Sequence, residues 1–161
     1  MSELSRQLAT SLESEGRKTL GFFGGLAQQH WDLQVYADGP AWKVHDLLAH
    51  LTEVEGSIPR LVRSILQGGQ GVKEAFDIDV WNAEHTAVLS RQDNQSLLVE
   101  FASRRVATVE LVRGLSDQDL EKRGRHPALG MTEVKHMLRL MYIHVQGHQR
   151  DIRRVLQAQA G

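Results

Sequence analysis

The segment VKHMLRLMYIHVQGHQRDIRRVL, residues 134–156, decides the fold because its apolar residues recur at helical spacing. The apolar face of the predicted helix also carries two histidines, His144 and His148, where hydrophobic residues are expected. Side chains at i and i+4 lie one above the other on a helix, so both imidazoles face the same way. A buried imidazole needs a partner, and a metal ion satisfies two such rings together. The predicted inward face consists of Val134, Met137, Met141, His144, His148, Ile152 and Leu156.

Helical spacing extends over most of the chain, which contains three prolines and no convincing period-two alternation. It predicts an all-α protein, a four-helix bundle with short additional helices, in one domain spanning residues 1–161. Asn94 and Thr132 are the predicted N-caps of the third and fourth long helices. The four long helices are predicted at Ser2–Gln29, from about Trp42 with a kink or restart at Gly56–Pro59, at Asn94–Arg113, and from Thr132 to Gln157. Shorter helical segments are predicted at Asp79–Ser90 and Ser116–Asp119, and loops at 31–41, 68–71 and 124–130.

A third histidine, His50, lies at the edge of the buried face of the second predicted helix, within reach of a facing helix. With His144 and His148 it would form a three-histidine site in the middle of the bundle. Three protein ligands with one open position are typical of a catalytic metal site rather than a structural one. His45 and His136 lie too far round or along their helices to share this site.

Two carboxylates lie one helical turn from the predicted ligands. Asp46 precedes His50 and Asp151 follows His148, so both are predicted to accept hydrogen bonds that orient the imidazoles. The alternative for these two residues is plain charge on a helix surface.

Two other interpretations of the histidines stay open. They can be core histidines that are hydrogen-bonded to backbone or carboxylate groups. The segment His50-Leu-Thr-Glu53 also resembles half of a di-iron centre. Such centres need Glu-x-x-His pairs on two helices, and the last helix offers only Asp151 near His148, so a mononuclear site is favoured.

The composition narrows the function further. A net charge of −1 argues against a dedicated nucleic-acid-binding protein. The absence of cysteine excludes disulfides, thiolate ligands and a thiol nucleophile of the protein itself. With no apolar run of signal-peptide or membrane-span length, the protein is expected to be soluble and cytoplasmic, without membrane partners.

Four sequence blocks together resemble the DinB/YfiT-like superfamily, in their order and approximate spacing along nearly the whole chain. The blocks are Trp42-x-Val-x-Asp-Leu-Leu-Ala-His50-Leu, Asp79-x-Trp-Asn82, His126-Pro-x-Leu-Gly130-x-Thr132 and His144-x-x-x-His148. The resemblance implies a four-helix bundle of the DinB/YfiT-like type, often a homodimer, with His50, His144 and His148 as ligands of a divalent metal. It also implies that Asn82 and His126 lie near a pocket.

Relatives in this superfamily include transferases and an isomerase that use bacillithiol- or mycothiol-type thiols. We therefore expect a metal-dependent transferase, in which a divalent ion (Zn, Ni, Cu or Fe) lowers the pKa of an external low-molecular-weight thiol for attack on a small electrophilic substrate. Related ergothioneine-pathway domains carry His-x-x-x-His-x-Glu, but Arg150 occupies the position of that glutamate here, which disfavours that branch. Two alternatives remain: a non-catalytic metal- or ligand-binding bundle, and a metal-dependent hydrolase that uses a bound water.

Overall fold

Four long helices build the protein, whose computed structural model describes residues 2–161. Helix α1 packs against α4 and α6, and α2 packs against the same two helices, so α1 and α2 lie diagonally across a four-helix bundle. The short helix α3 covers α2, which confirms the predicted bundle with additional helices. The helices are α1 (Glu3–Gly24), α2 (Val44–Leu66), α3 (Ile78–Leu89), α4 (Asn94–Arg113), α5 (Asp117–Glu121) and α6 (Val134–Ala160), and the strands are β1 (Arg123–His126) and β2 (Gly130–Glu133).

Short polar side chains cap the N-termini of most of these helices. Ser2 accepts a hydrogen bond from a free backbone N–H at the start of α1, and Asp77 does the same for α3. Ser116 forms a reciprocal capping box with α5. The N-cap of α4 is Asp93, which accepts from the backbone N–H of Ser96. The prediction of Asn94 as the cap was therefore wrong by one residue.

Two predicted helix boundaries were also wrong. Helix α1 ends at Gly24, short of Gln29, because the glycines at its end weaken the helix and a short 3₁₀ turn follows at Gln28–His30. Helix α2 begins at Val44 rather than Trp42 and runs through Pro59 without a restart. A proline removes a single N–H donor, and burial of the surrounding helix compensates for that loss.

A β-hairpin occupies the region that was predicted to be a loop. Strands β1 and β2 pair in antiparallel register, with Gly124 opposite Thr132 and His126 opposite Gly130. Thr132 is therefore a strand residue, and the N-cap of α6 is Glu133, whose side chain makes no capping hydrogen bond. Strands of four residues are too short for period-two alternation to reveal them.

The loop before α3 holds the hairpin against the bundle. Backbone hydrogen bonds of 2.9 Å join Arg125 to Gln70 and Val72 to Arg125. Gly71 lies between them with φ of +89°, and a Cβ atom there would lie 2.3 Å from the Arg125 backbone nitrogen, so only glycine fits. This contact fixes His126, the next residue of β1, at the edge of the helices.

The core divides into two clusters, one toward each end of the bundle. One cluster joins the end of α2 to the beginning of α6, and the other joins the beginning of α2 to the end of α6. In α6, His144 lies between Met141 of the first cluster and Val145 of the second. Within residues 2–161, none of the helices is long and apolar enough to cross a membrane.

Candidate metal centre

Three histidine side chains from two helices meet at one point. Helix α2 supplies His50, and one face of α6 supplies His144 and His148. The Nε2 atom of His144 lies 3.2 Å from Nε2 of His50 and 2.8 Å from Nε2 of His148. Tetrahedral ligands bound to zinc at about 2.0–2.1 Å are separated by roughly 3.3 Å. Two of the three nitrogen pairs therefore have about the spacing that a single ion requires, and the candidate ligand atoms all lie within 4.8 Å of one another.

Burial keeps the three imidazoles neutral, which is the form that binds a metal. Burial, together with the neighbouring histidines, lowers the pKa of His50 to about 2 and that of His144 to about 3. Burial also lowers the pKa of His148, although the nearby Asp151 carboxylate acts in the opposite direction. Neutral nitrogen ligands suit Zn, Ni, Cu or Fe, so the donor set fits a divalent transition-metal ion.

A tyrosine from the connector after α1 orients the ring of His148. The Tyr36 hydroxyl donates to Asp151 Oδ2 at 2.8 Å and lies 2.7 Å from Nδ1 of His148. Burial and the Asp151 carboxylate raise the pKa of Tyr36, so the hydroxyl keeps its proton. Because that proton is directed to Asp151, the Tyr36 oxygen accepts from Nδ1–H of His148. The lone pair of His148 is thereby left on Nε2, which faces the other histidines.

His50 is held by stacking instead of hydrogen bonding. Its ring lies 4.8 Å from the Trp42 ring, at an interplanar angle of 31°. Its Nδ1 atom is buried and has no hydrogen-bond partner among the described residues. The acceptor that usually orients a ligating histidine is therefore absent on this ring, and packing against Trp42 restricts its orientation.

The two predicted orienting carboxylates behave differently. Asp151 acts on His148 through Tyr36. Asp46 accepts hydrogen bonds from the Lys43 backbone at 3.0 Å and the Ser90 hydroxyl at 2.9 Å, and it makes none to His50. The proposed contact between Asp46 and His50 is not formed, because the carboxylate caps the first turn of α2.

The remaining histidines of the bundle lie away from this cluster. His45 is 2.9 Å from the Ser90 carbonyl and 2.5 Å from Asn94 Oδ1, so it joins α2 to the start of α4. His136 is exposed and lies 3.1 Å from the Thr132 hydroxyl. Both positions agree with the expectation that neither residue shares the site.

A cavity of about 350 Å³ adjoins the cluster, with His50 and His144 in its wall. The predicted pocket residues Asn82 and His126 line it as well. Nδ1 of His126 accepts from two backbone N–H groups, at 3.0 and 3.2 Å, so the ring proton is on Nε2. Burial lowers the pKa of His126 to about 4, which keeps this ring neutral. The rest of the wall is mainly apolar and includes Val54, Ile58, Leu61, Val72, Phe76, Ile78, Trp81, Met137, Leu140 and Met141.

Residues 12–153 match the mycothiol maleylpyruvate isomerase N-terminal domain. The chain belongs to this family. This membership agrees with the predicted DinB/YfiT-like resemblance. The matched residues include all three histidines of the cluster. No curated protein matches the chain.

Several solved structures share the fold of this chain at low sequence identity. YfiT from Bacillus subtilis, described as a probable metal-dependent hydrolase with an unusual four-helix bundle topology, is 17% identical with a TM-score of 0.79, covering 99% of this chain and 90% of YfiT. A mycothiol-dependent maleylpyruvate isomerase is 14% identical with a TM-score of 0.72, covering 94% of this chain and 63% of that protein. An uncharacterised protein from Escherichia coli UTI89 is 14% identical with a TM-score of 0.75, covering 99% of this chain and 96% of that protein.

Sequence reasoning predicted His126, on β1, as a pocket residue but missed two residues that orient the histidines of the cluster. Tyr36 and Trp42 lie in the connector between α1 and α2, which has no periodicity to mark them. The sequence did contain one signal for this contact. Asp151, one turn from His148, indicated a hydrogen-bond acceptor near that ring, but it did not indicate that Tyr36 lies between them. Glu53 was considered only as a di-iron ligand, yet it lies in the cavity wall and outside the histidine cluster.

Proposed function

We propose that the protein is a metal-dependent transferase, in which His50, His144 and His148 hold one divalent ion that activates an external low-molecular-weight thiol for attack on an electrophile. The observation that carries this proposal is the convergence of three neutral imidazoles beside a largely apolar cavity, with His50 and His144 in its wall. The chain has no cysteine, so a thiol nucleophile must come from outside the protein.

A bound divalent ion supplies Lewis acidity that lowers the pKa of a thiol toward neutrality. The side chains around it prepare the site. Tyr36 and Asp151 keep the Nε2 lone pair of His148 directed toward the other two histidines. The apolar wall excludes water from the reacting groups, and Nε2–H of His126 is a hydrogen-bond donor for an electrophile in the cavity.

The family supports a thiol-dependent reaction. Its description names a mycothiol maleylpyruvate isomerase, and one protein of the same fold is mycothiol-dependent. This chain spans 63% of the length of that isomerase. We therefore propose a thiol of the bacillithiol or mycothiol type as cosubstrate and leave the electrophile open.

The thiol requirement can be tested with glutathione as a stand-in thiol and 1-chloro-2,4-dinitrobenzene as the electrophile. Because the protein has no cysteine, the electrophile consumes no protein thiol and the background is that of the buffer. Zinc-loaded protein is expected to form the thioether faster than chelator-treated protein and faster than zinc in buffer. Equal rates in all three samples would refute the proposed activity for this pair of substrates, and bacillithiol or mycothiol then replaces glutathione.

A second candidate function is metal-dependent hydrolysis, because YfiT shares the fold and is described as a probable hydrolase. The same metal site would then activate water. Turnover of an ester such as 4-nitrophenyl acetate by zinc-loaded protein without thiol, lost in His144→Ala, supports this candidate. Metal binding without turnover in either assay supports a non-catalytic binding bundle.

We also propose the homodimer implied by the superfamily resemblance. Sedimentation velocity at several protein concentrations tests it, with a species of twice the 18.1 kDa chain mass as the expected result. A single species of the chain mass at all concentrations would rule the dimer out.

A further inference from the structure

A buried carboxylate in the cavity wall lacks a cation. Glu53 is only 5% exposed and lies on α2, one turn after His50. Within residues 2–161, no lysine, arginine or histidine forms a salt bridge with it. Carboxylates are rarely buried without a paired charge or strong hydrogen bonds, because removing them from water is costly. Glu53 is also outside the cluster of convergent nitrogen atoms, so it is not placed as a metal ligand.

The hydrogen bonds that Glu53 does accept are long. The Trp81 indole N–H donates to one oxygen at 3.3 Å, and the Ser57 hydroxyl donates to the other at 3.2 Å. Typical distances are about 2.9–3.0 Å for N–H donors and about 2.7–2.8 Å for hydroxyl donors. A carboxylate can accept about four hydrogen bonds, so Glu53 retains capacity for further donors.

The guanidinium that lines the same cavity does not neutralise this carboxylate. Arg60 is exposed, and its Nη1 atom lies beside the backbone of Gly56, 3.4 Å from the position that a Cβ atom would occupy there. Nη1 of Arg104 lies 2.6 Å from the same position. The two guanidinium groups therefore lie together beside Gly56, one turn after Glu53, and neither forms a salt bridge with Glu53.

Two aromatic side chains line the cavity with the carboxylate, and Trp81 presents its indole N–H edge to Glu53. Trp81 and Phe76 both line the cavity, with their ring centroids 5.5 Å apart. The Trp81 ring is stacked on His85 at 3.5 Å, which fixes its orientation. Aromatic faces beside a carboxylate are the combination that recognises organic ammonium groups.

We propose that this cavity binds a small molecule with an apolar body and an ammonium group, with Glu53 as the counter-ion and Trp81 and Phe76 as the aromatic wall. The ammonium group supplies the missing cation, and the apolar body fills the largely hydrophobic remainder of the 350 Å³ cavity. The proposal rests on the proposed function for its assumption that this cavity is the substrate pocket.

Calorimetric titration with benzylammonium and benzyl alcohol tests the charge requirement, because the two probes share a ring and a chain length. Wild-type protein is expected to bind benzylammonium about tenfold more tightly, as hydrogen bonds to a charged group predict. The preference should disappear in Glu53→Gln and persist in Glu84→Gln, which removes an exposed carboxylate of α3 outside the cavity. Equal binding of both probes to the wild type, no binding of benzylammonium, or a preference that persists in Glu53→Gln would overturn the proposal.

The wild-type comparison decides the matter even if Glu53→Gln does not fold. The titrations are run on chelator-treated protein and repeated on zinc-loaded protein. A divalent ion at the histidines repels a cationic ligand, so zinc is expected to lower the affinity for benzylammonium, and benzylammonium the affinity for zinc. A cation preference in protein that binds no zinc would mean that only the metal proposal fails. Zinc binding without a cation preference would mean that only the ammonium proposal fails.

Discussion

At the scale of single residues, the histidine cluster depends on which ring nitrogen carries the proton. For His148 the answer follows from a single hydroxyl proton, because Tyr36 donates to Asp151 and must accept from the imidazole. The sequence predicted the three histidines and Asp151 from helical spacing alone. Tyr36 could not be predicted, since its contact with His148 joins residues 112 positions apart through an aperiodic connector.

Replacing Tyr36 by phenylalanine is expected to weaken metal binding about 10- to 100-fold, the usual effect of removing a group that orients a ligand. Asp151→Ala should act in the same direction, because the tyrosine then loses the acceptor that directs its proton. A competition titration with a chromogenic zinc chelator measures both affinities. Tyr142→Phe is the control, because this tyrosine packs against the core of the bundle. Equal affinities in Tyr36→Phe and Tyr142→Phe would contradict the role of Tyr36.

The neutral buried histidines predict how stability depends on pH. The unfolded chain binds a proton at each histidine near pH 6.5, whereas burial lowers the pKa of His126 to about 4 in the folded state. Below pH 6.5 the unfolded state therefore binds more protons, so stability falls as the pH falls toward 4. The titration of His126 should lower the free energy of unfolding by about 2 kcal/mol between pH 7 and pH 5.

Urea unfolding at pH 7 and pH 5, in the presence of a chelator, measures this effect. His126→Asn retains an acceptor for the backbone N–H of Ala128 but cannot titrate, so its pH dependence should be smaller by about 2 kcal/mol. His136→Asn, at an exposed position, should behave as the wild type. An unchanged pH dependence in His126→Asn would show that this ring is not kept neutral by folding.

At the scale of elements, a buried ion pair joins three of the four long helices. Arg105 on α4 donates through Nε to Glu55 Oε2 at 2.7 Å and through Nη2 to Oε1 at 2.5 Å, and α2 carries this glutamate. Its Nη1 atom donates to the Leu12 carbonyl of α1 at 2.8 Å. The absence of a side chain at Gly16 makes room for Arg105, because a Cβ atom there would lie 2.8 Å from its Cγ atom.

Glu55→Gln is expected to destabilise the protein by about 3–5 kcal/mol, because it leaves the Arg105 guanidinium buried without its counter-ion. Chemical denaturation measures the change. Glu13→Gln is the control, since it removes an ion pair with Arg113 in which both side chains are 42% exposed, and it should cost less than about 1 kcal/mol. Similar losses of stability in Glu55→Gln and Glu13→Gln would show that burial does not determine how much the ion pair between Arg105 and Glu55 contributes to stability.

The helices themselves were predictable and their connections were not. Apolar residues repeat along α2 and α6 over many turns, so the helix-forming pattern is strong there. Strands β1 and β2 span four residues each and are held by the loop around Gly71. Because that contact comes from a distant part of the chain, local sequence carries little trace of it.

At the scale of the whole molecule, the three histidines join α2 to α6, and both helices contribute to the two core clusters. A ligand that binds only the folded state stabilises it, so a bound metal should link the two halves of the bundle energetically. At a free zinc concentration of 100 Kd the gain is about 2.7 kcal/mol, which should raise the Tm by roughly 5–10 °C. Calorimetry with and without zinc measures the shift. His148→Ala should lose it, and a shift of equal size in His148→Ala would place the bound zinc elsewhere.

The most direct test of the three-histidine site is equilibrium dialysis against zinc, with the bound metal measured by atomic emission. The wild type and His136→Ala, which removes an exposed histidine of α6, are expected to hold one ion per chain. His50→Ala and His144→Ala each remove one of the converging nitrogen atoms and are expected to hold none at the same free zinc concentration. Wild-type protein without zinc, or variants of His50 and His144 that still hold one ion per chain, would contradict the site.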